Sequence, residues 1–386
     1  MKTVLIAFVS PLVSLLLAAC ASAPPMPPAT DLFHDTAFKA PAQRIDPDAA
    51  LAVSPAMRAY LAANLGPRMR DFDRRRQLIN ALYRGDLKLE YDAESTRTAA
   101  EAFDARSGNC LALVLMTAAF AKEVGLTVRY QQLVGTEAWS RADQLYIGIG
   151  HVNLRLDEPT GLFKFPYSDS NSMVIDFLPS VDARNLNTTL IDERTVIAMY
   201  MNNRAVETLT AGRLDDAYWW AREAVRTDPQ MLSSYVTLGV IYRKRGQPAW
   251  AEAALRRVAE REPNNVYAMS NRVLALRDLG RDADSAALAK RLEELDPQPP
   301  FKYFNEGMAA YRAGRIDVAR RLFAKEVARA PYHHEFEYWL AVTYVELNDV
   351  ERATVHLRRA KEVSTTRKDH DLYAGKLERL KALTTQ

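Results

Sequence analysis

An apolar run in the first half of the chain dominates the pattern of hydrophobic and polar positions. Residues 111–124 are rich in Ala, Leu and Met, and the run stops at Gly125. Its length and composition predict an α-helix, and apolar residues on nearly every side predict that this helix is buried. Gly125 suits the left-handed conformation that often ends a helix, and Ser107 or Asn109 can cap the start. Cys110 is therefore placed in the first turn.

Two interpretations of Cys110 are open at this point. The free N–H groups and the dipole at a helix start favour a thiolate, and the same N–H groups can hold a developing oxyanion. The alternative is a small hydrophobic residue of the core, which is the commonest role of a cysteine.

The pattern before Cys110 is mainly helical, with no residue whose chemistry stands out. Candidate cap residues precede the apolar positions: Asp46, Ser54 with Pro55 after it, Thr96 and Thr98. The polar stretch 91–98 is dense in hydrogen-bonding groups. It is interpreted as a capped loop, with the lining of a substrate cleft as the alternative.

After Gly125 the pattern changes to strands. Residues 126–134, 144–156 and 173–178 alternate or are rich in β-branched side chains, and 161–171 is interpreted as a turn. The pattern places His151 in the middle of the second strand, on a polar face beside Asn153. Asp176 lies within the third strand, where a lone carboxylate would be costly to bury.

The second half of the chain repeats every 34 residues. Three position series show it: Pro229, Pro263, Pro297 and Pro331; Gly212, Gly246, Gly280 and Gly314, continued by Asn348; and Ala217, Ala251, Ala319 and Ala353, with Ser285 in the gap. One unit also carries the motif Tyr235, Leu238, Gly239 and Tyr242. Small residues allow two helices of a unit to pack closely, and glycine and proline end the helices.

This pattern resembles tetratricopeptide repeats. The resemblance implies five repeats over residues 198–365, followed by a capping helix over 366–386 that covers the last apolar face. It also implies a superhelix whose concave face binds a protein or peptide partner. The alternative is an array that only packs on the first domain or dimerises. Trp219 and Trp220 are interpreted as core between helices.

Length, composition and charge narrow the possible functions. A chain of 386 residues favours two or more domains, and a net charge of +3 with no basic block makes nucleic acid a poor partner. His333, His334 and His356 lack the carboxylate or cysteine framework of a metal site, and no cofactor motif is found.

The first 20 residues resemble a bacterial lipoprotein signal peptide. Lys2 precedes the apolar residues 4–17, and Leu17-Ala-Ala-Cys20 matches the lipobox, with a plain signal peptide or a membrane span as alternatives. The resemblance implies that Cys20 carries the lipid anchor and that residues 21–30, rich in Pro and Ala, form a tether. Ala21 after the cysteine implies the bacterial cell envelope, at the outer membrane facing the periplasm.

The cysteine count bears on Cys110. The chain has 2 cysteines, and a lipid on Cys20 leaves Cys110 without a disulfide partner. An unpaired cysteine in an exported protein favours a reactive or intermolecular role.

A cysteine at a helix start, a histidine on a strand and an aspartate on a later strand resemble the transglutaminase-like superfamily, which is related to papain-like peptidases. The resemblance covers residues 85–185 and rests on Gly108-Asn-Cys110, His151-Val-Asn and Val174-Ile-Asp176. It implies an α+β fold, with a helical N-terminal part and a transglutaminase-like domain over residues 31–190. Cys110 is then the nucleophile, His151 the base and Asp176 the group that orients the imidazole.

The sequence departs from the family where many members carry an aromatic residue, at Leu111 and Val152. Gln131, Gln132 and Trp139 are candidates for a second oxyanion donor.

Two functions remain open. One is an anchored cysteine enzyme acting on amide bonds as peptidase, amidase or transglutaminase; the other is a binding lipoprotein whose enzyme-like domain is a scaffold.

Overall fold

The computed structural model describes most of the chain beyond the predicted leader. The described residues are 29–65, 71–84, 87–92, 95–133, 138–142, 145–149, 151–157, 173–177, 187–297, 301–331, 333–364 and 367–384. The predicted signal peptide, Cys20 and the predicted turn at 161–171 lie outside these ranges.

Short helices form the N-terminal part, and the predicted caps begin three of them. Three 3₁₀ helices are followed by three α-helices: Thr30–Leu32, Asp35–Ala37, Pro47–Leu51, α1 (Pro55–Asn64), α2 (Asp71–Arg84) and α3 (Ala99–Ala105). The side chains of Asp46, Ser54 and Thr98 each accept a hydrogen bond from a backbone N–H group of the turn that they cap. The capping of these helices was therefore predicted from local sequence alone.

The apolar run forms the buried helix that its pattern predicts. Helix α4 spans Cys110–Glu123, and every residue from Cys110 to Ala121 is buried. The side chain of Asn109 accepts a hydrogen bond from the N–H group of Ala112 and caps the helix start. Gly125 follows the helix with φ of +78°, as its glycine implies.

Strands cover α4 on one side. Their bounds are β1 (Glu90–Tyr91), β2 (Ser107–Gly108), β3 (Thr127–Leu133), β4 (Ala138–Ala142), β5 (Leu145–Ile149), β6 (Val152–Asp157), β7 (Met173–Ile175) and β8 (Thr188–Ile191). Strands β7, β6, β3 and β8 form an antiparallel sheet in that order, β4 pairs with β5, and β1 pairs with β2 in parallel. Alternate residues such as Tyr130 and Leu154 are buried on one face of the large sheet, which packs on α4.

His151 and Asp176 lie at strand ends, which corrects the prediction that both lie within strands. The predicted strand over 144–156 is two strands, because β5 pairs with β4 whereas β6 pairs with β3. The chain changes pairing partner between them, and His151 stands directly before β6. Asp176 follows the last residue of β7.

Paired helices make up the second half of the chain. Their bounds are α5 (Glu193–Thr210), α6 (Leu214–Thr227), α7 (Leu232–Lys244), α8 (Pro248–Arg261), α9 (Val266–Asp278), α10 (Asp282–Leu295), α11 (Lys302–Arg312), α12 (Ile316–Arg329), α13 (His334–Glu346) and α14 (Val350–Glu362). A last helix, α15 (Arg367–Thr384), buries Tyr373 and Leu377 against Leu357 and Ala360 of α14.

Backbone geometry follows the 34-residue period. Gly212, Gly246, Gly280 and Gly314 have φ between +69° and +77°, and Asn348, which continues the series, has φ of +56°. Glycine and asparagine are the residues that best tolerate this left-handed conformation, so the series marks the turn inside each helix pair. The small residues of the alanine series are buried between helices: Ala217, Ala251, Ser285, Ala319 and Ala353.

The N-terminal segment joins the two halves of the chain. Phe38 stacks on Tyr218 with ring centroids 3.9 Å apart, and His34 stacks on Trp250 at 3.8 Å. Asp35 forms an ion pair of 2.9 Å with Arg222. Buried residues from Ala29 to Ala275 belong to one continuous hydrophobic cluster, so the first repeats share their core with the first domain.

The tryptophan pair divides between two roles. Trp220 is buried and packs edge-on against Tyr200, as predicted for core. Trp219 is half-buried, and its indole N–H donates to the carbonyl oxygen of Lys39 at 2.6 Å.

Among the helices of the described ranges, none combines the length and the apolar character that a membrane span requires.

Two glycines in helices give opposite predictions for stability. A Cβ on Gly307 would lie 2.7 Å from the ring of the buried Phe323, whereas a Cβ on Gly375 in α15 meets nothing within 4 Å. We expect Gly307→Ala to lower the free energy of unfolding by roughly 1–3 kcal/mol through overpacking. Gly375→Ala should raise it by roughly 0.5–1 kcal/mol through helix propensity. Denaturant unfolding of both variants measures this, and equal effects would contradict the packing assigned to Gly307.

Candidate functional site

Two of the three predicted catalytic side chains are hydrogen-bonded to each other. Nε2 of His151 lies 2.7 Å from Oδ1 of Asp176, although 25 residues separate them in the chain. His151 is 4% exposed, so the contact is shielded from water. Strand pairing creates it, because β6 and β7 are neighbours and the two residues flank that pair.

Asn153 holds the other oxygen of the carboxylate. Its Nδ2 donates to Oδ2 of Asp176 at 3.0 Å, and its side chain is 1% exposed. With one oxygen held by Asn153, the other is directed at the imidazole. Asp176 therefore orients His151 with Nδ1 left free of the carboxylate.

Cys110 lies on the imidazole side of this pair. The Cys110 side chain is 8% exposed at the start of α4. Burial by itself lowers the pKa of His151, but hydrogen bonds to Asp176 and Cys110, together with electrostatic interactions with the same two groups, raise that pKa to about 9. At neutral pH the imidazole is therefore protonated between a carboxylate and a sulfur. The structure brings Cys110, His151 and Asp176 into one cluster.

Tyr91 is a member of the site that sequence reasoning did not single out. In the parallel pairing of β1 with β2, Tyr91 lies beside Gly108, two residues before Cys110. Burial, followed by the charge of Cys110, raises the pKa of the Tyr91 hydroxyl, and a hydrogen bond with the backbone of Cys110 opposes that shift. The polar stretch 91–98 thus reaches Cys110 at its first residue.

The structure describes the surroundings of two of the three candidates for a second oxyanion donor. Nε2 of Gln131 donates to the hydroxyl of Thr188 at 3.1 Å, so this amide is engaged within the sheet. Gln132 pairs with Val152 and Thr189 in the strand ladders. The side chain of Trp139 lies outside the described residues. None of the three is assigned as the donor.

The histidines of the last repeat bind neighbours in the protein. Nδ1 of His356 lies 2.6 Å from Glu337, and Nδ1 of His334 lies 2.8 Å from the hydroxyl of Tyr373. Within the ranges that the structure describes, no group of three His, Cys, Asp or Glu side chains is arranged to hold a metal ion.

Comparison with known proteins places tetratricopeptide repeats in the second half of the chain. The family model described as tetratricopeptide repeat matches residues 236–300 and 304–363. A TPR repeat-containing protein of Pseudomonas aeruginosa is 28% identical over 129 residues, which are 33% of this chain. The match spans only 22% of that protein's length.

Solved structures of tetratricopeptide repeat proteins are similar to part of this chain. A thermophilic TPR protein of Thermus thermophilus aligns with 46% of this chain and 97% of its own, at 18% identity and a TM-score of 0.30. YrrB, described as a TPR protein with an unusual peptide-binding site, aligns with 47% of this chain and 92% of its own, at 22% identity and a TM-score of 0.25. The family match lies within the repeats, so the transglutaminase-like resemblance of residues 85–185 stays a prediction.

The raised pKa of His151 predicts how stability depends on pH. The folded-state pKa of about 9 exceeds the ordinary value of 6.5, so the protonated imidazole stabilises the fold. This contribution is fully present below pH 6.5 and is lost as the pH rises towards 9. We expect the wild type to lose roughly 1–3 kcal/mol over that window. His151→Asn, which does not titrate, should lose less. Urea unfolding at pH 6 and pH 9 measures the difference, and identical pH dependence would contradict the assignment.

Proposed function

We propose that this protein combines a repeat array that binds a protein or peptide with a cysteine-dependent domain that acts on amide bonds. The observation that carries the catalytic part is the hydrogen-bonded His151–Asp176 pair beside Cys110. Tetratricopeptide repeats mediate protein–protein interaction, which supports the binding part. The concave face of the array is the proposed site for the partner.

The reaction follows from the three side chains. The Cys110 thiolate attacks the carbonyl carbon of an amide, and a C–S bond forms while the negative charge moves to the oxygen. In this proposal, N–H groups at the start of α4 stabilise that charge. The imidazolium of His151 then gives its proton to the leaving nitrogen, the C–N bond breaks, and a thioester remains on Cys110.

The second half of the reaction decides between hydrolysis and acyl transfer. His151, now neutral, accepts a proton from water or from an amine as that group attacks the thioester carbon. A C–O or C–N bond forms, the C–S bond breaks, and the Cys110 thiolate leaves beside the imidazolium. Asp176 keeps the imidazole orientation through both halves, with Asn153 holding the carboxylate. If water is the acceptor, the acyl group is hydrolysed and the enzyme is a peptidase or amidase. If an amine is the acceptor, a new amide forms and the enzyme is of the transglutaminase type.

A non-catalytic scaffold is the second candidate, and specific observations favour it. Cys110 is only 8% exposed, and the hydroxyl of Tyr91 interacts with the backbone of Cys110, where an oxyanion would bind. Leu111 and Val152 replace residues that are aromatic in many transglutaminase-like proteins. In this alternative the first domain supports the repeats, and the repeats carry the function.

The reactivity of Cys110 separates the two candidates. Free cysteine has a pKa of about 8.5 and is almost fully protonated at pH 6. A thiolate paired with His151 should react with iodoacetamide at pH 6 faster than free cysteine, by about tenfold or more. His151→Ala should remove most of this advantage. Peptide mass spectrometry, which distinguishes Cys110 from Cys20, gives the labelling rate.

Variants of the carboxylate and the thiol complete the test. Asp176→Asn should retain the fold and lower any amide-directed activity on the order of 10⁴-fold, by analogy with serine proteases. Cys110→Ala should abolish that activity and lower the free energy of unfolding by no more than roughly 1–2 kcal/mol. If Cys110 resists alkylation in the folded protein and His151→Ala changes nothing, the scaffold candidate replaces the enzyme.

The second proposal concerns location. We propose that Cys20 carries a lipid that anchors the protein in the bacterial cell envelope, at the outer membrane facing the periplasm. The spacing of the apolar residues 4–17 from Leu17-Ala-Ala-Cys20 supports this. Several acyl chains on one cysteine are sufficient for stable anchoring.

Lipid labelling tests the anchor directly. Cys20→Ser removes the thiol that would be acylated, so the variant should lose incorporation of labelled fatty acid and leave the membrane fraction. Cys110→Ser is the matched control and should keep both. Retention of label and membrane association in Cys20→Ser would exclude the lipid anchor at this residue.

A further inference from the structure

Thr96 connects the first repeat helix to the first domain through its backbone. Its N–H group donates to Oε1 of Glu207 at 2.8 Å, and its carbonyl oxygen accepts from Nη1 of Arg204 at 3.2 Å. Arg204 and Glu207 lie one turn apart on α5, and Thr96 itself has no exposed surface. Side chains of α5 therefore bind both the N–H group and the carbonyl oxygen of Thr96.

The side chain of Thr96 extends the connection to the residue before Cys110. Its hydroxyl accepts a hydrogen bond of 2.6 Å from Nδ2 of the buried Asn109. Oδ1 of Asn109 accepts from the N–H group of Ala112 at 2.9 Å, which is the cap of α4. The amide of Asn109 is thus fixed at both ends, by Thr96 on one side and by α4 on the other.

Charge and aromatic contacts hold the array end of this connection. Nη1 of Arg204 lies 3.7 Å from Glu207, and the guanidinium lies 5.5 Å from the ring centroid of Trp220. Burial raises the pKa of Glu207, while its hydrogen bonds to Thr96 and the charge of Arg204 act to lower it. The carboxylate therefore depends on Thr96 and Arg204 for its polar partners in this partly buried place.

Helix α5 makes a second contact with α4, far from Cys110. Glu193, at the start of α5, pairs with Nζ of Lys122 at 2.7 Å and accepts from the hydroxyl of Tyr130 at 3.0 Å. Lys122 lies in the last turn of α4, at the end of the helix opposite to Cys110. Helix α5 therefore contacts α4 at its C-terminal end and, through Thr96 and Asn109, at its start.

We propose that Glu207 and Arg204 of the repeat array are positioning residues for Cys110 and act through Thr96 and Asn109. The four side chains fix the turn that places the sulfur beside His151. This inference rests on the proposed cysteine chemistry, and it adds that the array is a structural part of the active site. The first domain reaches its reactive geometry only with α5 in place.

The domain side is tested by removing one hydroxyl. Thr96→Val keeps the backbone bonds to α5 but removes the hydroxyl that accepts from Asn109 and also hydrogen-bonds to Glu207. Thr96→Ser restores that hydroxyl. Thr117→Val is the matched control, because Thr117 is equally buried and its hydroxyl donates to the carbonyl oxygen of Leu113 in its own helix. We expect Thr96→Val to slow alkylation of Cys110 at pH 6 by about fivefold, the factor that corresponds to a lost helix cap. Thr96→Ser and Thr117→Val should retain the wild-type rate.

The array side is tested with two glutamates of α5 in the full chain. Glu207→Ala should slow alkylation of Cys110 and shift its pH profile, and Glu207→Gln, which keeps an acceptor for Thr96, should rescue part of the rate. Glu193→Ala removes the other contact with α4 and should leave both unchanged. Equal effects of Glu207→Ala and Glu193→Ala on rate and pH profile would overturn the proposal, since a general loosening of the interface would then explain them.

Hydrogen exchange separates this proposal from the proposed function. The N–H group of Ala112 reports the cap made by Asn109, so Glu207→Ala should lower its protection and Glu193→Ala should not. Unchanged protection in Glu207→Ala overturns the positioning role even if Cys110 is reactive. Lowered protection with an unreactive wild-type Cys110 overturns positioning as well and also ends the enzyme proposal. If Cys110 is reactive and Glu207→Ala does not change its alkylation rate, the positioning role is wrong but the proposed function stands.

Discussion

The burial of α4 is the constraint on which the rest of the structure depends. A helix that is apolar on every side must be buried on every side, and a single sheet or helix layer can cover only one side of it. The antiparallel sheet covers one side and the N-terminal helices another. Helix α5 of the repeat array contacts the C-terminal end of α4 directly and its start through Thr96 and Asn109. The hydrophobic cluster that results runs from the N-terminal segment into the third repeat without interruption.

This shared core changes how the two halves of the molecule are understood. Tetratricopeptide arrays are quasi-one-dimensional, and each unit needs only its neighbours for stability. Here the first units also pack against residues 29–43, where Phe38 and His34 stack on aromatic side chains of α6 and α8. The later repeats form separate clusters around Phe323 and Leu377. The array is therefore integrated with the first domain at one end and independent of it at the other.

The electrostatics of the candidate site follow from the same burial. A lone carboxylate, imidazole or thiol would be costly in this interior, but each has a charged or polar partner. Asp176 is held by Asn153 and His151, and His151 in turn interacts with Cys110. Burial opposes the imidazolium and its two partners favour it, and the pKa of His151 is raised because the partners outweigh the burial.

Local patterns were sufficient for much of the fold. The 34-residue period, the caps at Asp46, Ser54 and Thr98, and the helix that begins at Cys110 depend on residues close together in the chain. The site was predictable in part, because the order of Cys110, His151 and Asp176 along the chain resembles that of a known superfamily. His151 and Asp176 were assigned to strand interiors, because an alternating pattern does not show where a strand changes its partner.

The sequence by itself determined the repeats and the buried helix, because each is encoded by a local period or a cap, whereas Cys110, His151 and Asp176 were proposed for catalysis through a family resemblance. Only the tertiary structure decided the contacts of Tyr91, the hold of Asn153 on Asp176 and the bonds from Thr96 to α5. Parallel pairing of two short strands, the register of an antiparallel sheet and packing across 111 residues of chain create these contacts. None has a local signal, because a hydrogen bond between distant segments depends on where the whole chain folds.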